Sequence, residues 1–252
     1  MVESVNPHWL TPNWAAPANI RAVCTTRHGG VSAPPFASLN LGDHVGDDPY
    51  AVARNRMIVG DVLQLPTEPL WLQQVHGVDV CGMDVGTCYP QGDASVAFRK
   101  NQVCVVMTAD CLPVLFCDKA GTRIAAAHAG WRGLEAGVLE QTLQRMDCPA
   151  AEVMAWLGPA IGAQAFEVGD EVRAAFMQHD PAAASAFQPS DAAGKWLADI
   201  YQLARQRLQR AGVSVSAISG GDFCTYSDAE RFFSYRRDGQ TGRMACLIWM
   251  DA

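Results

Sequence analysis

Residues 103–133 read VCVVMTADCLPVLFCDKAGTRIAAAHAGWRG, and three apolar runs within them decide the fold class. Val103 to Met107, Pro113 to Cys117 and Ile124 to Ala127 are short and apolar throughout, without the alternation of a half-exposed strand. They are expected as strands buried on both faces. Two reactive side chains punctuate these runs. Cys111 follows Thr108, Ala109 and Asp110 and precedes Pro113, which places it at a strand end or bend. His128 closes the third run, and Ala129 to Gly133 then form a turn before a helix. Two strand ends can bring a thiol and an imidazole to one edge.

Working outward, Val153 to Leu157, Val213 to Ser219 and Met244 to Met250 carry runs of the same kind. Helical spacing is clearest over Leu134 to Met146 and Trp196 to Ala211; in the second, Leu197, Ile200, Leu203, Ala204 and Leu208 share a face and Gly212 suits the stop. The expected class is mixed α/β, with strands spaced too irregularly for a repeating βαβ barrel. With no internal repeat and no low-complexity linker, residues 1–252 are read as a single domain. The Ala-rich stretch from Pro181 to Ala193 is expected as the loosest loop.

Composition excludes several function classes. A formal charge of −7 without a Lys/Arg cluster argues against nucleic acid as a partner. Apolar runs of a handful of residues fall well short of the roughly 20 that cross a bilayer. The N-terminal MVESVNPHWL lacks a signal-peptide pattern, so a cytoplasmic location without membrane contact is expected. Nine cysteines, an odd number without a CxxC pair, read mostly as reduced, buried small hydrophobes.

A third reactive residue lies upstream, His76 in WLQQVHG (Trp71 to Gly77). One thiolate and two imidazoles suit zinc, at about 2.3 Å for sulfur and 2.0–2.1 Å for nitrogen, and leave the fourth tetrahedral position open for chemistry. The plainer alternative is that Cys111 fills a core and that each histidine makes an ordinary hydrogen bond. Spacing alone leaves both readings open.

Longer blocks carry a resemblance. TTRHGGVSAPPFASLNLGDHVGDDP (Thr25 to Pro49), WLQQVHG, MTADCLPVLF (Met107 to Phe116), AAAHAGWRGL (Ala125 to Leu134), WLGPAIGAQAFEVG (Trp156 to Gly169) and FFSYRRDGQTGRMACLIW (Phe232 to Trp249) closely resemble the bacterial laccase-domain family. Its members have been called multicopper polyphenol oxidase, purine nucleoside phosphorylase and peptidoglycan editing factor. The resemblance implies a layered α/β/β/α fold, similar also to the catalytic domain of cytotoxic necrotizing factor, a cysteine-dependent deamidase. It implies His76, Cys111 and His128 as metal ligands. It favours zinc-assisted phosphorolysis of adenosine, inosine, guanosine and methylthioadenosine, with hydrolytic deamination of adenosine. Purine nucleosides and phosphate are then the partners; no oligomeric state is specified. GDASVAFRK (Gly92 to Lys100) departs from the family pattern but keeps Asp93.

Six histidines are too few for a multicopper cluster, although His76, Cys111, His128 and an axial Met107 would suit a single copper. Phosphorolysis needs an anion cradle, for which Arg27 and then Arg132 are the candidates; Asn40 and His44 are candidate substrate contacts. Asp110 could orient Cys111 or act as acid/base. The run Phe232 to Arg243 is a candidate wall for the purine, as is Phe223 to Tyr226. Two other classes stay open: a metal-free hydrolase with Cys111 as nucleophile and His128 as base, removing L-serine from a muramyl peptide precursor, and a non-catalytic metal-binding module.

Overall fold

Apolar side chains fall on both faces of almost every long strand, so each sheet must be covered twice. The computed structural model describes residues 8–83 and 89–251. Cys88 and most of the N-terminal stretch read above lie outside the described residues. In chain order the strands are β1 Ile20–Cys24, β2 Val80–Gly82, β3 Ala94–Ala97, β4 Val103–Thr108, β5 Leu112–Asp118, β6 Ile124–Ala129, β7 Val153–Leu157, β8 Glu167–Gly169, β9 Phe187–Pro189, β10 Lys195–Ala198, β11 Ile218–Gly220 and β12 Met244–Met250. The helices are α1 Pro49–Leu63, α2 Trp131–Ala136, α3 Val138–Arg145, α4 Asp170–His179, α5 Ile200–Arg210 and α6 Tyr235–Asp238.

A six-stranded mixed sheet has the order β11-β7-β5-β6-β3-β2, and a three-stranded antiparallel sheet the order β1-β12-β4. The two sheets face each other. Cys104 and Val106 of β4 and Ile248 of β12 meet Leu115 and Cys117 of β5 and Ala126 of β6 in the core between them. On the outer face of the small sheet, Val103, Val105, Leu247 and Trp249 pack against Val59 of α1. On the outer face of the large sheet, Val114, Phe116, Ala125 and Ala127 pack against Leu134, Leu139, Leu203 and Leu208 of α2, α3 and α5. The alanines of β6 let these helices approach closely. Layers therefore stack as α/β/β/α, the order implied by the resemblance. A small antiparallel sheet, β8-β10-β9, lies beside this stack in sequence order with α4 and α5.

The structure revises four boundaries. Of Val213 to Ser219, the strand begins only at Ile218, after a 3-10 turn over Val215–Ala217. The helix expected over Leu134 to Met146 is two helices, parted at Gly137, which holds φ +106. Trp196 and Leu197 pair with β8 and β9 as strand β10, and Asp199 starts α5 by accepting the Gln202 N–H at 2.9 Å, so a cap overrides the apolar spacing. Pro181–Ala186 is a 3-10 helix that buries Ala183 and Ala186.

Cys24 and Cys246, directly opposed on β1 and β12, are joined as a disulfide, an exception to the expectation that most of the cysteines are reduced. Cys81, Cys104, Cys111, Cys117, Cys148 and Cys224 are free. Among the described residues, no helix is long and apolar enough to cross a membrane.

Candidate metal centre

Sheet register sets two of the three candidate ligands. In the β5–β6 ladder Leu112 pairs with Ala129 and Pro113 with His128. Cys111, one residue before this ladder, therefore lies opposite Gly130, one residue beyond it. His128 is on the buried side of β6 with 3% exposure, whereas Cys111 is half-buried at the mouth. His76 comes from outside any strand and is exposed. Its backbone sits at φ +62, a left-handed conformation that disfavours most side chains and needs support.

Asp93 provides that support. Its carboxylate, fully buried, accepts the backbone N–H groups of Val75 at 3.2 Å, His76 at 2.9 Å and Gly77 at 2.7 Å. The same carboxylate lies 2.8 Å from His128 Nδ1, and its backbone carbonyl accepts the His128 N–H at 2.7 Å. A proton on Nδ1 directed at Asp93 leaves His128 Nε2 as the ligand atom. One carboxylate thus orients a ligand on β6 and the turn that carries another.

The ligand atoms of His76, Cys111 and His128 all lie within 4.8 Å of one another, and His76 Nε2 stands 3.8 Å from Cys111 Sγ. Tetrahedral zinc would set a sulfur and a nitrogen ligand about 3.5 Å apart. The imidazole rings meet edge to face, with centroids 4.8 Å apart. Gly130 closes the floor: a Cβ there would come 2.8 Å from His76 Cδ2 and 3.1 Å from Cys111 Sγ. Only a glycine leaves this space. The donor set, the oriented imidazole and the missing Cβ together fit a single metal ion.

Electrostatics favour the ligand form of the thiol. Burial alone would push Cys111 up, but the His128 and His76 imidazoles outweigh it and bring the thiol down to about 6. Burial likewise opposes charge on His128, yet the Cys111 thiolate and the Asp93 hydrogen bond hold its pKa up at about 9. Asp93 is drawn below the usual carboxylate range; burial opposes this, and the His128 and backbone hydrogen bonds prevail.

The other expected residues occupy varied places. Asp110, at φ +91, accepts the Thr225 hydroxyl at 2.6 Å, the Ser234 hydroxyl at 3.0 Å and the Arg236 N–H at 2.7 Å, so its carboxylate ties the loops around Cys111 together. Asn40 is buried; it donates to Gly42 and Asp47 and accepts from the backbone of Gly42 and Arg243, which fills its four positions. Arg27 donates to the carbonyls of Ala37 and Ala229 and lies over the Phe233 ring. Arg132 is exposed and stacks on Trp131. His44 is exposed beside Asp43, and burial, then the charge of Arg243, lower its pKa. Met107 Sδ lies 3.9 Å from Arg56 Nη2, and its side chain joins the core on the α1 side of the small sheet, where the axial role considered for it has no geometric support. In the run Phe232 to Arg243, both phenylalanines are fully buried while Tyr235 is exposed.

Sequence reasoning did not single out Asp93 or Gly130 as site residues, and took Arg243 only as the end of a candidate purine wall. The signals were present as an aspartate opening a run of small apolar residues, a glycine two positions past His128, and an arginine ending the FFSYRRDGQTGR block.

Comparison with known proteins finds relatives over nearly the whole chain. Residues 21–251 match the model of the family described as multi-copper polyphenol oxidoreductase laccase. A purine nucleoside phosphorylase of Pseudomonas aeruginosa is 56% identical over 243 residues, covering 96% of this chain and 98% of that protein. The purine nucleoside phosphorylase YfiH of Escherichia coli is also 56% identical, over 244 residues, with the same coverage. Among solved structures, the Neisseria meningitidis protein NMB0706 superposes with a TM-score of 0.92 at 53% identity, covering 97% of this chain and 100% of that one. YlmD from Geobacillus stearothermophilus gives 0.83 at 31% identity, with 93% of each chain covered.

Proposed function

The chain belongs to the multi-copper polyphenol oxidoreductase laccase family, and from that premise we propose that it is a zinc-dependent purine nucleoside phosphorylase that also deaminates adenosine. Adenosine, inosine, guanosine and methylthioadenosine are the proposed nucleosides, phosphate the second substrate and the cytoplasm the setting. The observation that carries the reading is the convergence of His76, Cys111 and His128 on one point, with Asp93 fixing both histidine segments. Zinc held by His76, Cys111 and His128 would supply a Lewis acid, able to polarise a substrate atom or to activate water near neutral pH.

The chain's own residues prepare that position. Asp93 keeps the Nδ1 proton of His128 and so presents Nε2 inward. Cys111 is already ionised above about pH 6 and serves as the anionic ligand. Asp110 anchors Thr225, Ser234 and Arg236, which fixes the turn that aims Cys111. In phosphorolysis a phosphate oxygen bonds to the anomeric carbon while the bond to the purine nitrogen breaks; the base leaves with the electron pair, takes up a proton, and ribose 1-phosphate results. In deamination water adds at the purine carbon bearing the amine and ammonia leaves.

Assaying the metal content of untagged protein together with adenosine turnover, with and without phosphate, tests this reading. About one zinc per chain, adenine formed only with phosphate and inosine formed regardless are the expected outcomes. A second reading has its own observation: Cys111 lies beside His128, whose Nδ1 is in turn 2.8 Å from Asp93, a thiol, imidazole and carboxylate in sequence. Metal-free protein that ignores nucleosides and forms an acyl-enzyme on Cys111 with an L-serine-containing muramyl peptide would establish that hydrolase instead.

A further inference from the structure

Arg243 stands between α6 and β12 with its backbone fixed at both ends. Its N–H donates to Asn40 Oδ1 at 2.9 Å, and its carbonyl accepts the Leu41 N–H at 3.1 Å. Gly42 leaves room for its stem, since a Cβ there would come 2.7 Å from Arg243 Cγ. Nη1 donates to the carbonyls of Thr241 at 3.1 Å and Gly242 at 3.0 Å. Nε and Nη2 donate to no described residue, and Arg243 forms no ion pair with a described carboxylate. The guanidinium is half-buried, and two of its nitrogens donate to no described residue.

The β12–β4 register sets where Arg243 stands. Met244 pairs with Thr108, so Arg243, one residue before this ladder, lies opposite Ala109, two positions from Cys111, and its charge acts on Cys111, Asp110 and Tyr235. Asp110 attracts this charge without a hydrogen bond to it; its carboxylate accepts instead from Thr225, Ser234 and Arg236. Other arginines nearby are engaged elsewhere. Arg237 spans three carbonyls and Asp238, Arg56 holds the Leu41 carbonyl and covers Trp71, and Arg236 reaches the Glu167 carbonyl.

We propose that Arg243, in preference to Arg27 or Arg132, is the residue that holds inorganic phosphate beside the Cys111 ligand, with Nε and Nη2 as a paired donor. This rests on the phosphorylase reading for the identity of the anion. Paired guanidinium donors match two phosphate oxygens, a geometry that lysine cannot reproduce. A partly desolvated cation with unfilled donors also gains more from an arriving anion than an exposed one does.

The test titrates inorganic phosphate into zinc-loaded wild type, Arg243→Gln and Arg243→Lys by calorimetry, alongside the KM for phosphate with inosine. Arg243→Gln should weaken phosphate binding and raise that KM by about tenfold or more, with zinc content unchanged and the KM for inosine within about twofold. Arg243→Lys should fall between, and millimolar guanidinium should restore part of the phosphate affinity to Arg243→Ala. If the glutamine variant fails to fold, the lysine variant decides, with a several-fold rise expected. Phosphate affinity that is indifferent to Arg243, or lost in Arg27→Gln instead, would overturn the assignment. The two readings separate cleanly. Phosphate bound through Arg243 without ribose 1-phosphate formation would remove the phosphorylase and leave the anion site. Ribose 1-phosphate made with a phosphate KM insensitive to Arg243 would do the reverse.

Discussion

The β5–β6 ladder and the turn over residues 75–77 place the candidate ligands by opposite means. Cys111 and His128 inherit their positions from a ladder whose residues are buried on both faces, with a helical layer on one side and a second sheet on the other. His76 has no ladder; a left-handed backbone and one carboxylate hold it. The contrast shows that a site can rest partly on many small packing contacts and partly on a single residue. Asp93 is the point where the two supports meet.

Removal of a ligand should have the largest effect. Cys111→Ala is expected to lose zinc and nucleoside turnover together, because two imidazoles remain and the anionic donor is gone; metal analysis and product assays check both. Full zinc retention in that variant would break the claim that the ladder end is the centre. Asp93→Asn tests the meeting point. It should weaken zinc by about 10–100-fold in a chelator competition, since His128 loses its orienting carboxylate and the 75–77 turn loses an anionic acceptor. An unchanged affinity would mean that the ladder alone suffices.

The mildest test is of pH. Cys111 is lowered from 9.0 to about 6, so the thiolate persists above about pH 6 and is lost as pH falls through that value. Alkylation of metal-stripped protein should therefore rise through about pH 6 and then level off. His128 keeps its proton up to about 9, so zinc uptake at pH 7.5 should release about one proton, seen in the buffer dependence of the binding enthalpy. An alkylation midpoint near 9 would show that the imidazoles do not act on the thiol as the geometry requires.

Much of this was legible along the chain. β4, β5, β6, β7 and β12 coincide with apolar runs because each buries both faces, and continuous apolarity records that directly. β10 was hidden, since Trp196 and Leu197 fit the spacing of the helix that follows and only their partners in β8 and β9 identify them as a strand. The reactive residues of the centre showed as interruptions of apolar runs. Their supports did not. Asp93 acts on residues 16 to 18 positions before it and 35 after it. Gly130 is small because of His76 and Cys111 together, and no single segment contains that reason. Arg243 is notable for two nitrogens without a described acceptor, which only three-dimensional placement can reveal.

The arrangement around Asp93 also bears on what holds the molecule together. In a zinc finger the ion assembles the ligands, and chelation unfolds the domain. Here the ligand-bearing segments are already tied to a buried carboxylate and a sheet edge by the protein's own hydrogen bonds. An ion bound there would be an exchangeable guest of a finished structure, and its contribution to stability would be the mass-action amount set by its concentration and affinity.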